Sequence, residues 1–444
     1  MKTPICDYVR AYAEKQMLRL HMPGHKGTGF LGMEHLDITE IDGADSLYEA
    51  DGIIAQSEAN AGRLFGCSTF YSTEGSSQCI RAMLHLAVLH GRKNGRRPVI
   101  AAARNVHKTF LSAAALLDLE VLWLYPERQE SYLSCCLTPA ALERQLSGAG
   151  KKPAAVYLTS PDYLGHQADI AGLAAVCHDH GTLLLVDNAH GAYLRFLPES
   201  LFPVDLGADI CCSSAHKTLP VLTGGAYLHL SGAVEELAAY AKNALALFGS
   251  TSPSYLILQS LDLANPYLEE YSRKLGSFLP AADALKRRLR EHGFVLCGEE
   301  LLKVTISAKP FGYEGKELAE YLLAREIVCE FADPDYLVLM LTPETGKRGL
   351  VRLEEALLAI DRRPPIQRRP PCFQGAERVM SIREAMLSAA QILPVCQSRG
   401  KVLTAASVGC PPAVPILVCG ERIDDHAADC FRYYGIERVA VVAE

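Results

Sequence analysis

Short, continuous apolar runs recur along the first half of the chain and alternate with segments whose apolar residues follow a helical period. Runs of this length and composition are typical of parallel strands that are buried on both faces. They occupy residues 99–103, 121–124, 154–159, 183–187, 208–212 and 224–228, and two later runs occupy 302–306 and 336–341. Because strands that alternate with helices form βαβ units, this pattern predicts an α/β fold with a mostly parallel, three-layer sheet.

The chain is too long for one ordinary core, since 444 residues predict two or three domains. We expect a large domain over residues 1–260 and a smaller α/β domain over residues 261–363. Prolines between 364 and 371 indicate a boundary after the smaller domain. The remaining residues, 374–444, read as a C-terminal α+β domain of short strands and helices.

The N-terminal residues predict a helix followed by a loop. The spacing of apolar residues from Asp7 to Leu20 suits an amphipathic helix. Residues 21–29 then contain a proline and three glycines, which exclude a helical metal-binding pair of His21 and His25. This segment is either a loop that approaches a phosphate or substrate, or an ordinary glycine-rich connector.

Composition excludes several classes of function. The net charge of −7, without a basic patch, argues against a nucleic-acid partner. No signal peptide and no membrane-length apolar run is found, so we expect a cytoplasmic protein. The 15 cysteines are scattered and contain no Cys-x-x-Cys, which favours reduced thiols and predicts no metal site.

A hydroxyl-rich segment around Lys217 lies between two strand-like runs. A lysine that follows Ser214 and His216 on such a turn suits Schiff-base chemistry, because partial desolvation lets its amine lose a proton more easily. The alternative is a solvated loop lysine.

The carboxylate of Asp187 ends the apolar run that begins at Leu183. Open α/β sheets bind ligands at the carboxyl ends of their strands, and an aspartate there can pair with a protonated pyridine nitrogen. A strand-ending aspartate followed by a lysine on a strand–turn, here Lys217, resembles the arrangement in fold-type I pyridoxal phosphate enzymes.

Two further positions suit a phosphate and a planar ring. The Gly75-Ser76-Ser77 turn precedes a helical pattern, so its N–H groups and hydroxyls could bind a phosphate, or it could be a simple N-cap. His107 lies just past the strand-like run 99–103, where an imidazole could lie against a ring or could be an ordinary loop histidine.

Together these segments resemble the Orn/Lys/Arg decarboxylase family, the pyridoxal phosphate-dependent basic amino acid decarboxylases of bacteria, in its shorter form without an N-terminal wing domain. The matching segments span nearly the whole chain, less densely in its last third. They are Pro23–Gly27, Gly75–Ser77, Asn105–Lys108, Ser160–Gly165, Asp187–Gly191, Ser214–Lys217, Ser381–Ala385, Pro411–Pro415 and Gly420–Glu421.

The resemblance implies the cofactor, pyridoxal 5′-phosphate, and a role for each matching residue. Lys217 would bind the cofactor covalently, Asp187 would keep its pyridine nitrogen protonated, and His107 would stack on its ring. His216 would lie beside the Schiff base, and either His216 or Lys217 would return a proton to Cα. The remaining cofactor-binding residues implied are Ser76, Ser77 and Ser214 at the phosphate, and His190.

Two residues depart from the family pattern. Glu74 stands where a small amide is usual, which puts a carboxylate near the phosphate-binding turn and suggests a divergent substrate. Ala413 replaces a usual glycine in the Pro411–Pro415 segment, and we expect this change to affect only a distant domain.

The resemblance also implies the reaction and the assembly. The enzyme would convert arginine, lysine or ornithine to the corresponding amine and carbon dioxide, a step of polyamine biosynthesis. A homodimer is expected, with Thr251 and its neighbours Ser250 and Ser252 reaching the phosphate of the other subunit. Rival readings are an aminotransferase or lyase of the same fold, or a non-catalytic cofactor-binding protein. An aminotransferase usually carries an arginine on a small-domain strand, and residues 338–341 have none.

Glu330 is the predicted substrate residue. It follows an apolar pair at the edge of the smaller domain, and a buried carboxylate facing an ammonium or guanidinium would discriminate against uncharged side chains. The alternative is a solvated surface glutamate, with Asp333 the next residue to consider.

Overall fold

A computed structural model describes residues 1–95, 98–127, 131–372, 375–405 and 413–443. The chain divides into two compact units. The first unit contains residues 1–95 and 177–276, and the second contains residues 96–176 and 277–444. The domain bounds expected from the sequence stay a prediction.

The strands are β1 Ser68–Ser72, β2 Val99–Ala103, β3 Glu120–Leu124, β4 Ala155–Thr159, β5 Leu183–Asp187, β6 Ile210–Ser213, β7 Ala226–Leu230, β8 Val295–Cys297, β9 Lys303–Ser307, β10 Phe331–Ala332, β11 Tyr336–Met340, β12 Ala390–Pro394 and β13 Arg438–Val442. The helices are α1 Pro4–Glu14, α2 Ile53–Phe65, α3 Gly75–Lys93, α4 Lys108–Leu116, α5 Pro139–Gly148, α6 Ile170–Asp179, α7 Ala215–Thr218, α8 Ala238–Ala246, α9 Tyr255–Glu269, α10 Tyr271–His292, α11 Gly315–Leu323, α12 Gly346–Leu358, α13 Ile382–Leu387 and α14 Asp425–Tyr433. Each predicted strand lies within two residues of its observed bounds, because continuous apolar runs become the buried strands.

In the first unit the strands follow the order β1-β7-β6-β5. β5 and β6 are parallel, with Asp187 opposite Cys212, whereas β7 is antiparallel to both of its neighbours. All residues of β5, β6 and β7 are buried, as the continuous apolar runs predict. The carboxyl end of β5 and the connection from β6 to β7 therefore carry Asp187 and Lys217 on rigid elements.

In the second unit β4, β2 and β3 form a parallel arrangement with β2 in the centre. An antiparallel sheet of order β10-β11-β9-β8 and an antiparallel pair of β12 and β13 follow later in the chain. The α/β class with mostly parallel strands is confirmed.

The N-terminal helix is shorter than predicted. α1 ends at Glu14 rather than near Leu20, and Gln16 adopts a left-handed backbone with φ of 48°. Leu18 and Leu20 are 84% and 82% exposed, so no buried contact would stabilise another helical turn.

The cysteines of the described residues are free thiols. Cys136, Cys372 and Cys396 are exposed, whereas Cys6, Cys79 and Cys177 are buried. Burial raises the pKa of each of these three buried thiols to about 12. Among the described residues, no helix is both long and apolar enough to cross a membrane.

Candidate active site

Lys217 lies in α7, the single helical turn that joins β6 to β7. Its side chain is half-buried, while Ser214 at the start of this turn is 1% exposed. The Nζ atom of Lys217 is 3.0 Å from Nε2 of His190, which lies just after β5. An amine and an imidazole at this distance can exchange a proton, so the fold brings together two residues that are 27 positions apart in the sequence.

Asp187 is the last residue of β5 and is 2% exposed. Its Oδ1 accepts the backbone N–H of Ala189 at 3.2 Å and lies 3.7 Å from Sγ of Cys212 on the adjacent strand. Burial, with the Asp187 carboxylate beside it, raises the pKa of the Cys212 thiol, so this thiol stays neutral and donates to the carboxylate. The predicted position of Asp187, a buried carboxylate at a strand's carboxyl end, is observed.

The turn before α3 brings Ser76 close to Ser214. Gly75 begins α3 with φ of +71°, a backbone conformation that favours glycine, and its N–H donates to the carbonyl of Gly224 at 2.7 Å. Oγ of Ser214 donates to Oγ of Ser76 at 2.8 Å. Ser76 and Ser77 both lie in the first turn of this helix, where N–H groups that point along the helix axis and the helix dipole favour an anion.

His216 is anchored through its backbone and its ring. Its N–H donates to the carbonyl of Gly225 at 3.2 Å, and its Nδ1 lies 3.0 Å from the same oxygen. Because a carbonyl only accepts, Nδ1 carries the proton in this contact and Nε2 is left as the other ring nitrogen. The His216 ring also approaches within 4.0 Å of the position a Cβ would take on Gly75.

Glu74 makes a contact that the sequence did not predict. Its carboxylate accepts the backbone N–H of Ser250 at 2.5 Å, and the side chain is exposed. Ser250 and Thr251 are exposed as well, and Oγ of Ser250 accepts the N–H of Ser252 at 3.1 Å. The unusual glutamate therefore links the turn before α3 to the loop of residues 250–252. The sequence shows an unexpected carboxylate at Glu74 and a serine-rich loop at residues 250–252, but nothing in it indicates that the two are in contact.

His107, in the second unit, ends the connection from β2 and caps α4. Its Nδ1 accepts the N–H of Thr109 at 3.2 Å and lies 2.9 Å from the hydroxyl of the same residue. Since Nδ1 accepts, Nε2 carries the proton in the neutral ring. His107 is half-buried, with its ring orientation set by the start of the helix.

Glu330, also in the second unit, is exposed and immediately precedes β10. Its Oε1 accepts the hydroxyl of Tyr163 at 3.0 Å, and the Tyr163 ring packs edge-on against Phe331 at 5.3 Å between centroids. The sequence analysis gave Tyr163 no role, although it lies in the Ser160–Gly165 segment. Its spacing from Glu330 is too long for any periodicity to reveal.

Asp333 is buried and accepts hydrogen bonds from the backbone of the turn that follows it. It is 5% exposed, and its Oδ1 accepts the N–H groups of Asp335 and Tyr336 at 2.7 Å each. Burial raises the pKa of the Asp333 carboxyl to about 6. These contacts form the turn between β10 and β11.

Cys136, Asp162 and His166 lie together in the second unit, with their possible ligand atoms within 4.8 Å of one another. His166 Nδ1 lies 3.0 Å from Asp162 Oδ2, and the hydrogen bond that His166 donates to Asp162 raises the pKa of His166. Asp162 Oδ1 accepts the N–H groups of Leu164 and His166 at 2.9 Å each. These hydrogen bonds shape the loop that carries Tyr163.

Comparison with known proteins gives a consistent family. The family model described as "Orn/Lys/Arg decarboxylase, major domain" matches residues 3–297. An arginine decarboxylase of Bacillus subtilis is 28% identical over 96% of this chain and 92% of its own length. An arginine decarboxylase of Halalkalibacterium halodurans is also 28% identical, over 96% of this chain and 91% of its own length.

Solved structures show the same fold. Lysine decarboxylase LdcF of Francisella novicida superposes with a TM-score of 0.80 at 16% identity, over 99% of this chain and 81% of that one. Lysine decarboxylase A of Pseudomonas aeruginosa superposes with a TM-score of 0.81 at 17% identity, over 99% of this chain and 80% of that one.

Proposed function

The chain belongs to the Orn/Lys/Arg decarboxylase family, and from this premise we propose that it removes the α-carboxylate of arginine to give carbon dioxide and the corresponding amine. Its membership makes it a pyridoxal phosphate-dependent amino acid decarboxylase. Arginine is chosen among the three basic amino acids because relatives that match nearly the full chain are named arginine decarboxylases. The observation that carries the proposal is the Lys217–His190 contact, together with the buried Asp187 at the end of the strand that precedes His190.

The residues of the first unit fit pyridoxal 5′-phosphate chemically. The start of α3, with Ser76 and Ser214 hydrogen-bonded to each other, offers N–H and hydroxyl donors for a phosphate. Asp187 offers a buried carboxylate for a protonated ring nitrogen, and Lys217 offers an amine for covalent attachment. When bound, the cofactor supplies an electron sink for the electron pair left by the departing carboxylate.

Protein residues would hold and move the protons. The Asp187 carboxylate would hold the ring nitrogen of the cofactor in its protonated form, and the neutral thiol of Cys212 donates to the same carboxylate. Lys217 Nζ and His190 Nε2 can pass a proton between them. The proton delivered to Cα comes from Lys217 or from His216, whose ring is held in place by Gly225.

We assign recognition of the guanidinium to Glu330. A carboxylate binds a guanidinium in a charge-assisted geometry that a neutral side chain cannot replace. Tyr163 donates to one oxygen of this carboxylate, which limits its rotamers and leaves the other oxygen for a cation. Because Glu330 is exposed, water screens its charge, and we expect a moderate rather than a large contribution to binding.

The test is carbon dioxide release by the purified protein with arginine, lysine and ornithine in parallel. We expect the visible absorbance of the bound cofactor and the highest kcat/KM with arginine. Release with lysine or ornithine alone would move the substrate assignment within the family. Cofactor binding without release from any of the three would contradict the proposal.

A further inference from the structure

The segment 413–421, which we call the C-terminal brace, contacts the loop 104–108 that carries His107, and both belong to the second unit. The backbone carbonyl of Ala413 accepts the N–H of Lys108 at 2.8 Å. Lys108 is the first residue of α4 and follows His107 directly. This hydrogen bond therefore fixes the point at which the His107 loop becomes a helix.

A buried ion pair makes a second connection between brace and loop. Arg104 and Glu421 are 2% and 3% exposed, and their side chains meet at 3.2 Å. Arg104 also donates to two carbonyls of the brace, those of Pro415 and Ile416, at 3.3 Å each. Since a buried charge is strongly destabilising without its partner, loop and brace hold each other in one arrangement.

Glu421 is fixed on its own side as well. Its Oε2 accepts the N–H of Val418 at 2.8 Å. Burial raises the pKa of Glu421, and the Arg104 guanidinium opposes that rise. Arg104 lies over the ring of Trp123, 5.2 Å from its centroid, and Trp123 is the chain's single tryptophan.

The brace also packs against residues next to Tyr163 and Glu330. Val414 belongs to a buried cluster with Leu164 and Phe331. Leu164 follows Tyr163, and Phe331 follows Glu330. One segment thus packs beside both the His107 loop and the Tyr163–Glu330 contact.

We propose that the C-terminal brace fixes the orientation of His107, the residue that the family resemblance would set against the cofactor ring, and, through Val414, sets the place of Glu330. This inference rests on the proposed function. Arg104 and Glu421 are positioning residues, because they act through the loop and have no role in the reaction itself.

Lys108→Pro tests the Ala413–Lys108 hydrogen bond. Proline fits the first position of a helix, and His107, with φ −67° and ψ 148°, already has a backbone that proline accepts after it. The variant removes the N–H donor, and Lys108→Ala is the matched control for the lost side chain. We expect Lys108→Pro to raise the apparent dissociation constant of the cofactor about threefold to tenfold over Lys108→Ala, the range of one net hydrogen bond. It should also change the visible circular dichroism of the bound cofactor.

Glu421→Gln is the second variant and keeps the proposal testable if Lys108→Pro does not fold. We expect a shift in Trp123 emission in the cofactor-free protein and weaker cofactor binding. Asp335→Asn is the control, because Asp335 forms a similarly buried pair with Lys309 in the same unit. It should leave Trp123 emission and the cofactor's dichroism unchanged.

Equal cofactor affinity and dichroism for Lys108→Pro and Lys108→Ala would overturn the inference. So would equal effects of Glu421→Gln and Asp335→Asn, since these would reflect general loss of stability. Failure of the proposed function is distinguishable, because the unchanged protein would then release no carbon dioxide from arginine, lysine or ornithine, whereas Trp123 emission still reports on the brace.

Discussion

Lys217 is the residue on which the proposed chemistry depends most. Lys217→Ala should abolish turnover and leave the fold intact, because the substitution removes the covalent anchor and a proton carrier but only a half-buried side chain. Carbon dioxide release measures turnover, and far-ultraviolet circular dichroism checks the fold. Lys15→Ala, at an exposed lysine of the same unit, is the control. Normal turnover in the Lys217 variant would refute the assignment.

Glu330→Gln should raise KM for the basic amino acid about tenfold, equivalent to ~1.4 kcal/mol, with the cofactor absorbance unchanged. The amide keeps the size of the side chain and its contact with Tyr163 but loses the charge that a guanidinium needs. Steady-state kinetics with arginine measure the effect. Glu326→Gln is the matched control, since Glu326 is 90% exposed and paired with Arg352. The same KM in both variants would move recognition to another residue.

Ala413 shows a limit of reading residues one at a time. The replacement of the usual glycine by Ala413 was expected to affect only a distant domain. That expectation was wrong, because the backbone carbonyl of Ala413 accepts the N–H of Lys108, the residue after His107. The contact joins positions that are far apart in the chain, so no local pattern contains it. The Lys217–His190 contact was likewise not predicted as a pair, although each residue was singled out.

Ala413→Gly should stabilise the protein. Ala413 has φ of 60°, a left-handed conformation that costs a non-glycine residue about 1–2 kcal/mol. Glycine adds about 0.4–1 kcal/mol of unfolded-state entropy cost, so the net gain is on the order of 0.5–1 kcal/mol. Urea unfolding measures it. Ala319→Gly, inside α11, should instead destabilise by about 1 kcal/mol. Equal losses in both variants would contradict the argument.

At the scale of elements, apolar runs located the strands well because both faces of the central strands are buried. Helix ends were harder to predict. α1 ends just before Gln16, whose backbone is left-handed. Leu18 is exposed beyond this point, so no burial of its side chain would stabilise a longer helix. The period of the sequence alone cannot show which apolar residues find a partner.

The turn between β10 and β11 predicts a pH-dependent stability. The pKa of Asp333 is about 6 in the folded protein, above its unfolded value of about 3.9. The unfolded chain therefore loses this proton first as the pH rises, and the free energy of unfolding falls between about pH 4 and pH 6 by on the order of 2 kcal/mol. Asp333→Asn keeps the acceptor for the turn but cannot ionise. Urea unfolding at pH 4 and pH 7 should show a smaller fall in this variant, and an equal fall would exclude Asp333 as the cause.

At the scale of the whole molecule, the family and the α/β fold followed from sequence motifs, whereas assembly stays a prediction. We expect a homodimer in which Thr251 reaches the phosphate of the other subunit. Thr251 is exposed, so a variant with a bulky residue at this position should fold normally. We expect this variant to bind the cofactor several-fold more weakly. Light scattering gives the mass, and mixed dimers with Lys217→Ala subunits test whether Thr251 acts across the interface. Lys15→Met, at an exposed position of the same unit, serves as a surface control. A fully active monomer would exclude the dimer.

The distribution of free thiols has a practical consequence. Cys136, Cys372 and Cys396 are exposed to alkylating reagents. Cys6, Cys79 and Cys177 are buried, and their pKa of about 12 keeps them protonated and unreactive at neutral pH. A buried thiol can therefore be alkylated only after its surroundings open. Pulsed alkylation followed by peptide mass spectrometry would record the order in which parts of the interior open. Each native cysteine would report the time at which its own position becomes accessible.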